Sequence, residues 1–152
     1  MKVLFDHPTP FAFAHGGLQI QIIQTANALQ KLGVGVEFLR WWDDEQTGDV
    51  LHYFGRMPAE TLGLAQAKGM KVVLADLLTA QGSRSARRLK MQKLVRQALP
   101  ARLLRTLTRP MNWESYRLAD ACVSLTTWEA RLLADLFGAP PEKIHVIPNG
   151  VE

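Results

Sequence analysis

Short aliphatic or β-branched runs recur along this chain at Val3–Phe5, Val36–Leu39, Val50–Phe54, Lys71–Ala75, Ala121–Leu125 and Ile144–Ile147, with helical stretches between them. Strands separated by helices cross over instead of turning back in hairpins, so the pattern predicts an α/β fold, a Rossmann-like doubly wound parallel sheet with helices on both faces. Leu18 to Leu32 places Ile22, Ile23, Ala26, Leu29 and Leu32 on one helical face, and Gly33 and Gly35 supply its stop. Ala59–Ala67, closed by Lys68-Gly69, and Thr127–Phe137, closed by Gly138 with Pro140 and Pro141 beyond, read as later helices. The 152 residues fit one domain, and a chain of this size buries roughly 68–70% of its unfolded surface without needing staples. The single cysteine, Cys122, lies in an apolar run and reads as a buried, reduced thiol, with no activating base near it in sequence.

Several classes are excluded or disfavoured. Met1-Lys2 leads straight into the first strand without the apolar segment and cleavage site of a signal peptide. The uncharged stretch from Pro8 to Gln30 contains His15, Gly16, Gly17 and several Gln, so it is no membrane span, and a cytoplasmic location is expected. A dinucleotide fingerprint needs G-x-G-x-x-G directly after the strand, whereas His15-Gly16-Gly17-Leu18 follows a loop of about ten residues; no G-x-x-x-x-G-K-[ST] occurs either. The four histidines, His7, His15, His52 and His145, lack zinc-ligand spacing, and no metal is expected.

Candidate contacts lie at strand ends, because ligands of open α/β sheets bind outside the carboxyl edge. Gly16-Gly17 opens the first helix there; it is either a phosphate or sugar contact at a helix N-terminus or a tight turn that needs glycine torsions. Asp76, at the end of the fourth strand, is placed for chemistry or for capping the next segment. His52 reads as a satisfied core histidine. Asp43-Asp44-Glu45 reads as a solvated loop, and of Trp41-Trp42 one ring is expected in the core, unless the pair stacks on a sugar.

The formal net charge of +4 is unevenly spread: of 18 basic residues, nine (Arg84, Arg87, Arg88, Lys90, Lys93, Arg96, Arg102, Arg105 and Arg109) fall in a stretch that has no acid from Leu77 to Trp113. Met91, Leu94, Val95, Ala98 and Leu99 share one helical face, with Lys90, Lys93 and Arg96 on the other. Leu103, Leu104 and Leu107 lie opposite Arg102, Arg105 and Arg109 in a second helix that starts at Pro100. Such a segment suits an anionic membrane surface or an anionic, lipid-linked acceptor, or it packs its apolar side on the core; nucleic acid ranks lower without a binding motif.

Three passages carry a family resemblance. His15-Gly16-Gly17-Leu18 through Ala26-Asn27-Ala28-Leu29 to Phe38 resembles the Gly-Gly loop, first helix and second strand of family 4 glycosyltransferases. Gly48-Asp49-Val50-Leu51-His52-Tyr53-Phe54 is similar to that family's Asp-Val-(Val/Ile)-His strand. Leu118-Ala119-Asp120 through Thr126, followed by Lys143-Ile144-His145-Val146-Ile147-Pro148-Asn149-Gly150-Val151-Glu152, resembles the passage that closes the N-terminal domain. The resemblance implies the acceptor-side half of a GT-B fold over residues 1–152, with a C-terminal, donor-binding domain absent from this chain. It implies a retaining, hexosyltransferase-like enzyme that uses a nucleotide-diphosphate sugar, without catalytic metal or other cofactor, and an isolated fragment that is inactive. Gly16 and Gly17 match the loop that approaches the donor diphosphate and acceptor, and Asn149 and Gly150 match the segment entering the interdomain hinge. Thr126 stands where many members have Ser. Ala75-Asp76-Leu77 departs from the family, in which a histidine near this strand end often contacts the transferred sugar; Asp76 is the weak catalytic candidate. The competing reading is a non-catalytic Rossmann-like binding module that docks a membrane or a partner through the basic segment from residue 84 to 109.

Overall fold

The computed structural model describes residues 1–13, 16–78, 86–100, 103, 108 and 111–150. All six expected strands form: β1 (Lys2–Asp6), β2 (Gly35–Phe38), β3 (Val50–Tyr53), β4 (Lys71–Ala75), β5 (Ala121–Ser124) and β6 (Ile144–Val146). They pair in parallel as one sheet in the order β2-β1-β3-β4-β5-β6, with Phe5 opposite Phe38 and His52 on its two sides. Between them run α1 (Gly17–Lys31), α2 (Ala59–Ala67), α3 (Ala86–Ala98), α4 (Glu114–Leu118) and α5 (Thr127–Leu132).

Alternation along the strands splits the core in two. Val3 and Phe5 of β1 pack with Ile22 and Ala26 of α1 and with Phe54 and Ala75 on one face of the sheet. On the other face, Leu4, Leu51, Val72, Leu74 and Cys122 pack against Leu62 of α2, Tyr116 of α4 and Leu133 to Phe137. Cys122 is buried, and burial pushes its thiol up to about 11, which suits an inert core residue.

Four details depart from expectation. On α1 only Ile22 and Ala26 reach full burial, while Ile23 and Leu32 are exposed, because the helix meets the sheet along a stripe too narrow to take both flanks. The helix from Thr127 stays α-helical to Leu132 and then widens into a π-helical turn, Leu133–Phe137, which ends at Gly138 in the left-handed region (φ 76°). Neither ring of Trp41-Trp42 enters the core.

The fourth departure is the orientation of α3. Leu89 packs on the core, but Met91, Leu94 and Val95 face outward, the first two 64% exposed. The basic side is the one that docks. Arg96 donates to the carbonyls of Ala134 (2.8 Å) and Asp135 (2.7 Å) in the π turn, and Lys93 pairs with the Asp135 carboxylate at 2.8 Å. A wider helical turn leaves carbonyls without intrahelical donors, and cations at a helix C-terminus are favourable there, so polar satisfaction outweighs burial of this short apolar stripe. Arg84, Arg102, Arg105 and Arg109, and with the last three most of the second basic helix, lie outside the described residues.

Candidate functional site at the carboxyl edge of the sheet

The parallel strands deliver four segments to one edge: Asp6 ends β1, Gly16-Gly17 opens α1, Gly55-Arg56 follows β3 and Asp76 follows β4. Gly16 is extended (φ 169°, ψ −169°), a backbone that any residue adopts. A Cβ added at Gly16 or Gly17 would meet no atom within 4 Å. Neither torsion nor packing therefore calls for glycine, and the reading as a torsion-demanding turn does not hold. The first turn of α1 has no side-chain cap and no acid of its own, so its positive end is not offset from within the helix.

Asp76 is the hub of a compact ion-pair network. Arg56 reaches its Oδ2 through Nη2 at 3.0 Å, and Tyr116 donates its hydroxyl to the same oxygen. Arg56 Nε also donates to the Tyr116 oxygen at 2.8 Å, and Nη1 to the Met111 carbonyl at 3.3 Å. The guanidinium lies 5.4 Å from the Tyr116 ring centre and 5.2 Å from that of Phe137, so it is held on its faces as well as its edges. Burial opposes the Arg56 charge, but Tyr116 and Asp76 outweigh it and raise its pKa; burial, then Asp76, push the Tyr116 phenol far above its usual range. Among the described residues none donates to Asp76 Oδ1. Burial likewise raises Asp6, against the hydrogen bond it accepts from the His7 amide at 2.8 Å, and Tyr53 is pushed up to about 12 by burial and by Asp6 and Asp76.

The sequence model of Glycosyltransferase Family 4 matches residues 37–152, well over half of the chain. The chain belongs to this family. No curated protein matches it. The matched span takes in Arg56, Asp76, Tyr116, the basic segment and Asn149-Gly150 and begins beyond Gly16-Gly17. Membership establishes a glycosyltransferase-type function and accounts for the Rossmann-like sheet.

Two residues of the family 4 passage have local duties in this chain. Asp120 accepts from the Val72 amide (2.9 Å), Gln66 Nε2 (3.0 Å) and Lys71 Nζ (3.0 Å), tying the start of β5 to β4 and α2. Burial opposes its charge, but these donors win and lower its pKa. Thr126 forms a capping box with Glu129: its hydroxyl accepts the Glu129 amide at 3.1 Å, while the Glu129 carboxylate accepts the Thr126 amide at 3.2 Å.

The remaining sequence candidates scatter. Asn149 and Gly150 are exposed just past β6. Arg87, Arg88 and Lys90 are exposed on α3, whereas Lys93 and Arg96 are spent on the π turn. His52 is not a satisfied histidine: it is stacked on Phe54 with ring centres 4.3 Å apart, its buried Nε2 has no partner among the described residues, and burial lowers it to about 4. Asp43 pairs with Arg40 at 2.8 Å, so the acidic loop is braced rather than merely solvated. Among the described residues no group of three His, Cys, Asp or Glu is placed to hold a metal ion, and no helix is long and apolar enough to cross a membrane. Arg56 and Tyr116 were not picked out from sequence. The strand-edge rule that selected Asp76 applies equally to Arg56, whereas Tyr116 reaches the site from a five-residue helix that carries no periodic signal.

Proposed function

We propose that the whole protein is a retaining glycosyltransferase, moving a sugar from a nucleotide-diphosphate donor to a glycan or lipid-linked acceptor. This chain supplies the acceptor side of the cleft, and a C-terminal domain beyond residue 152, reached through Asn149-Gly150, supplies most of the donor pocket. The observation that carries the reading is the open space over Gly16-Gly17 at an uncapped helix start, because glycine there serves nothing but close approach by a ligand. In this mechanism the N–H groups of the first turn stabilise charge on the departing diphosphate, and Asp76, anchored through Oδ2, accepts a sugar hydroxyl at Oδ1. No nucleophile is assigned, and no metal or other cofactor takes part.

The test is transfer by the full-length gene product from a panel of UDP-, GDP- and ADP-sugars to a lipid-linked acceptor mixture. Transfer that persists in EDTA and falls by about two orders of magnitude or more in Gly17→Val supports the reading, since even a small misplacement of reacting groups costs about that much. Near-normal transfer by Gly17→Val refutes the diphosphate contact.

A second reading, docking at the cytoplasmic face of a membrane, is favoured by one observation: Met91, Leu94 and Val95 are exposed on a helix that also exposes Arg87, Arg88 and Lys90. Flotation with phosphatidylglycerol vesicles but not with phosphatidylcholine vesicles supports it; equal failure with both removes it. If no donor turns over, this surface becomes the chief activity of a non-catalytic binding module.

A further inference from the structure

We infer that Trp41 and Trp42 form a saccharide-stacking platform, a subsite for a neutral oligosaccharide set apart from the Gly16-Gly17 and Asp76 edge. That this oligosaccharide is the acceptor rests on the transferase reading; the binding itself does not.

Trp41 is 86% and Trp42 67% exposed, although tryptophan is among the residues that gain most from burial. Their rings sit edge to face, 5.5 Å between centres at 89°, and so offer two perpendicular apolar surfaces. A slack loop does not explain this. Arg40 bridges Asp43 (2.8 Å) and Glu37 (3.1 Å), and burial-tight Gln46 donates to Glu37 and to the Phe38 carbonyl, both at 3.0 Å, while its Oε1 accepts the Arg40 amide at 2.8 Å. The backbone on either side of the pair is fixed by these bonds, and the rings are presented outward.

The chemistry selects the occupant. A pyranose has an apolar C–H face and a rim of hydroxyls. A tryptophan ring takes the first, and carboxylates accept from the second. Asp43, which follows the pair directly, is neutralised by Arg40, and Asp44 and Glu45 come next, both exposed. Lys68 Nζ donates to the Asp44 backbone carbonyl at 3.1 Å, so two exposed acids stand with one cation beside them, a nearly balanced charge that favours a neutral, hydroxyl-rich ligand over phosphate, polynucleotide or anionic lipid. In the sheet, β2, after which the pair comes, lies three strand spacings, about 14 Å, from β4, which Asp76 follows.

The experiment is binding of the full-length gene product to immobilised neutral hexasaccharides (malto-, cello-, β-1,3-gluco-, manno- and N-acetylglucosamine series), followed by calorimetric titration of each hexamer captured. Trp41→Ala and Trp42→Ala are compared with Trp128→Ala, a partly exposed tryptophan on α5. The expected result is capture of at least one hexamer, with affinity lowered about tenfold or more by either platform substitution and by less than about twofold by Trp128→Ala. Capture of none, affinity unchanged in both platform variants, or binding to phosphatidylcholine vesicles that the same variants abolish overturns the inference. Transfer is scored separately. Trp-dependent glycan binding without transfer keeps the subsite and refutes the transferase reading, and transfer without Trp-dependent binding does the reverse.

Discussion

Replacing His52 with phenylalanine should flatten the acid limb of this chain's stability curve. The imidazole lies edge-on to Phe5 at 5.3 Å and stacked on Phe54 at 4.3 Å, so a phenyl ring suits the same slot. Burial lowers its pKa from 6.5 to about 4. With the folded value depressed, the unfolded chain binds the extra proton first; stability is complete above pH 6.5 and is lost as pH falls toward 4. At about 1.36 kcal/mol per pH unit, rounded where the two titrations end, the loss is about 2 kcal/mol by pH 5 and about 3 kcal/mol by pH 4. That is a large fraction of the roughly 5–15 kcal/mol that holds a domain together. Urea unfolding followed by tryptophan fluorescence at pH 7, 5 and 4 measures it, and carboxylates that titrate in the same window cancel between wild type and variant. If both proteins lose stability in parallel, within about 0.5 kcal/mol, the reasoning from His52 is wrong.

Thr126→Ala removes the hydroxyl that caps α5 and should cost about 1 kcal/mol, read as a drop of about 2–4 °C in Tm by scanning calorimetry. Arg56→Met leaves Asp76 in a half-buried site without its cation and should cost about 3 kcal/mol in urea unfolding, and restoring the charge with Arg56→Lys should recover only part, because an ammonium lacks the planar fork that also reaches the Met111 carbonyl and lies over the Tyr116 and Phe137 rings. Asp76→Asn should lower transfer by the full-length enzyme while leaving the fold intact by circular dichroism.

The sheet was legible because its strands are short, mostly apolar runs, the central ones carrying buried residues while β2 and β6 lie at the edges, and such runs survive any choice of crossover; strand ends differ from the sequence reading by only a residue or so. The side of α3 that faces the body was not legible. Periodicity separated Met91, Leu94 and Val95 from Lys93 and Arg96 correctly, but the choice between those faces depends on carbonyls released by a π turn 38 residues away, which no local pattern announces. For the same reason the site was read only in part. The edge rule found Asp76, yet its partners lie 20 and 40 residues distant and meet it only through the strand order. Strand alternation puts His52 on the face of β3 opposite Leu51 and Tyr53, but it does not announce the Phe5 and Phe54 rings that surround the imidazole. Gly16-Gly17 was found as a motif, and the structure added the argument that neither glycine is needed by the chain itself.

The inward turn of the cations on α3 has a thermodynamic signature. Global unfolding exposes apolar surface and carries a large heat-capacity increase, whereas among the described residues undocking α3 mainly breaks the Lys93 and Arg96 contacts and uncovers little apolar surface beyond Leu89. Its opening free energy should therefore change almost linearly with temperature, while that of the sheet follows a dome. Amide exchange measured at several temperatures would show Ala86–Ala98 as a unit that detaches by its own law.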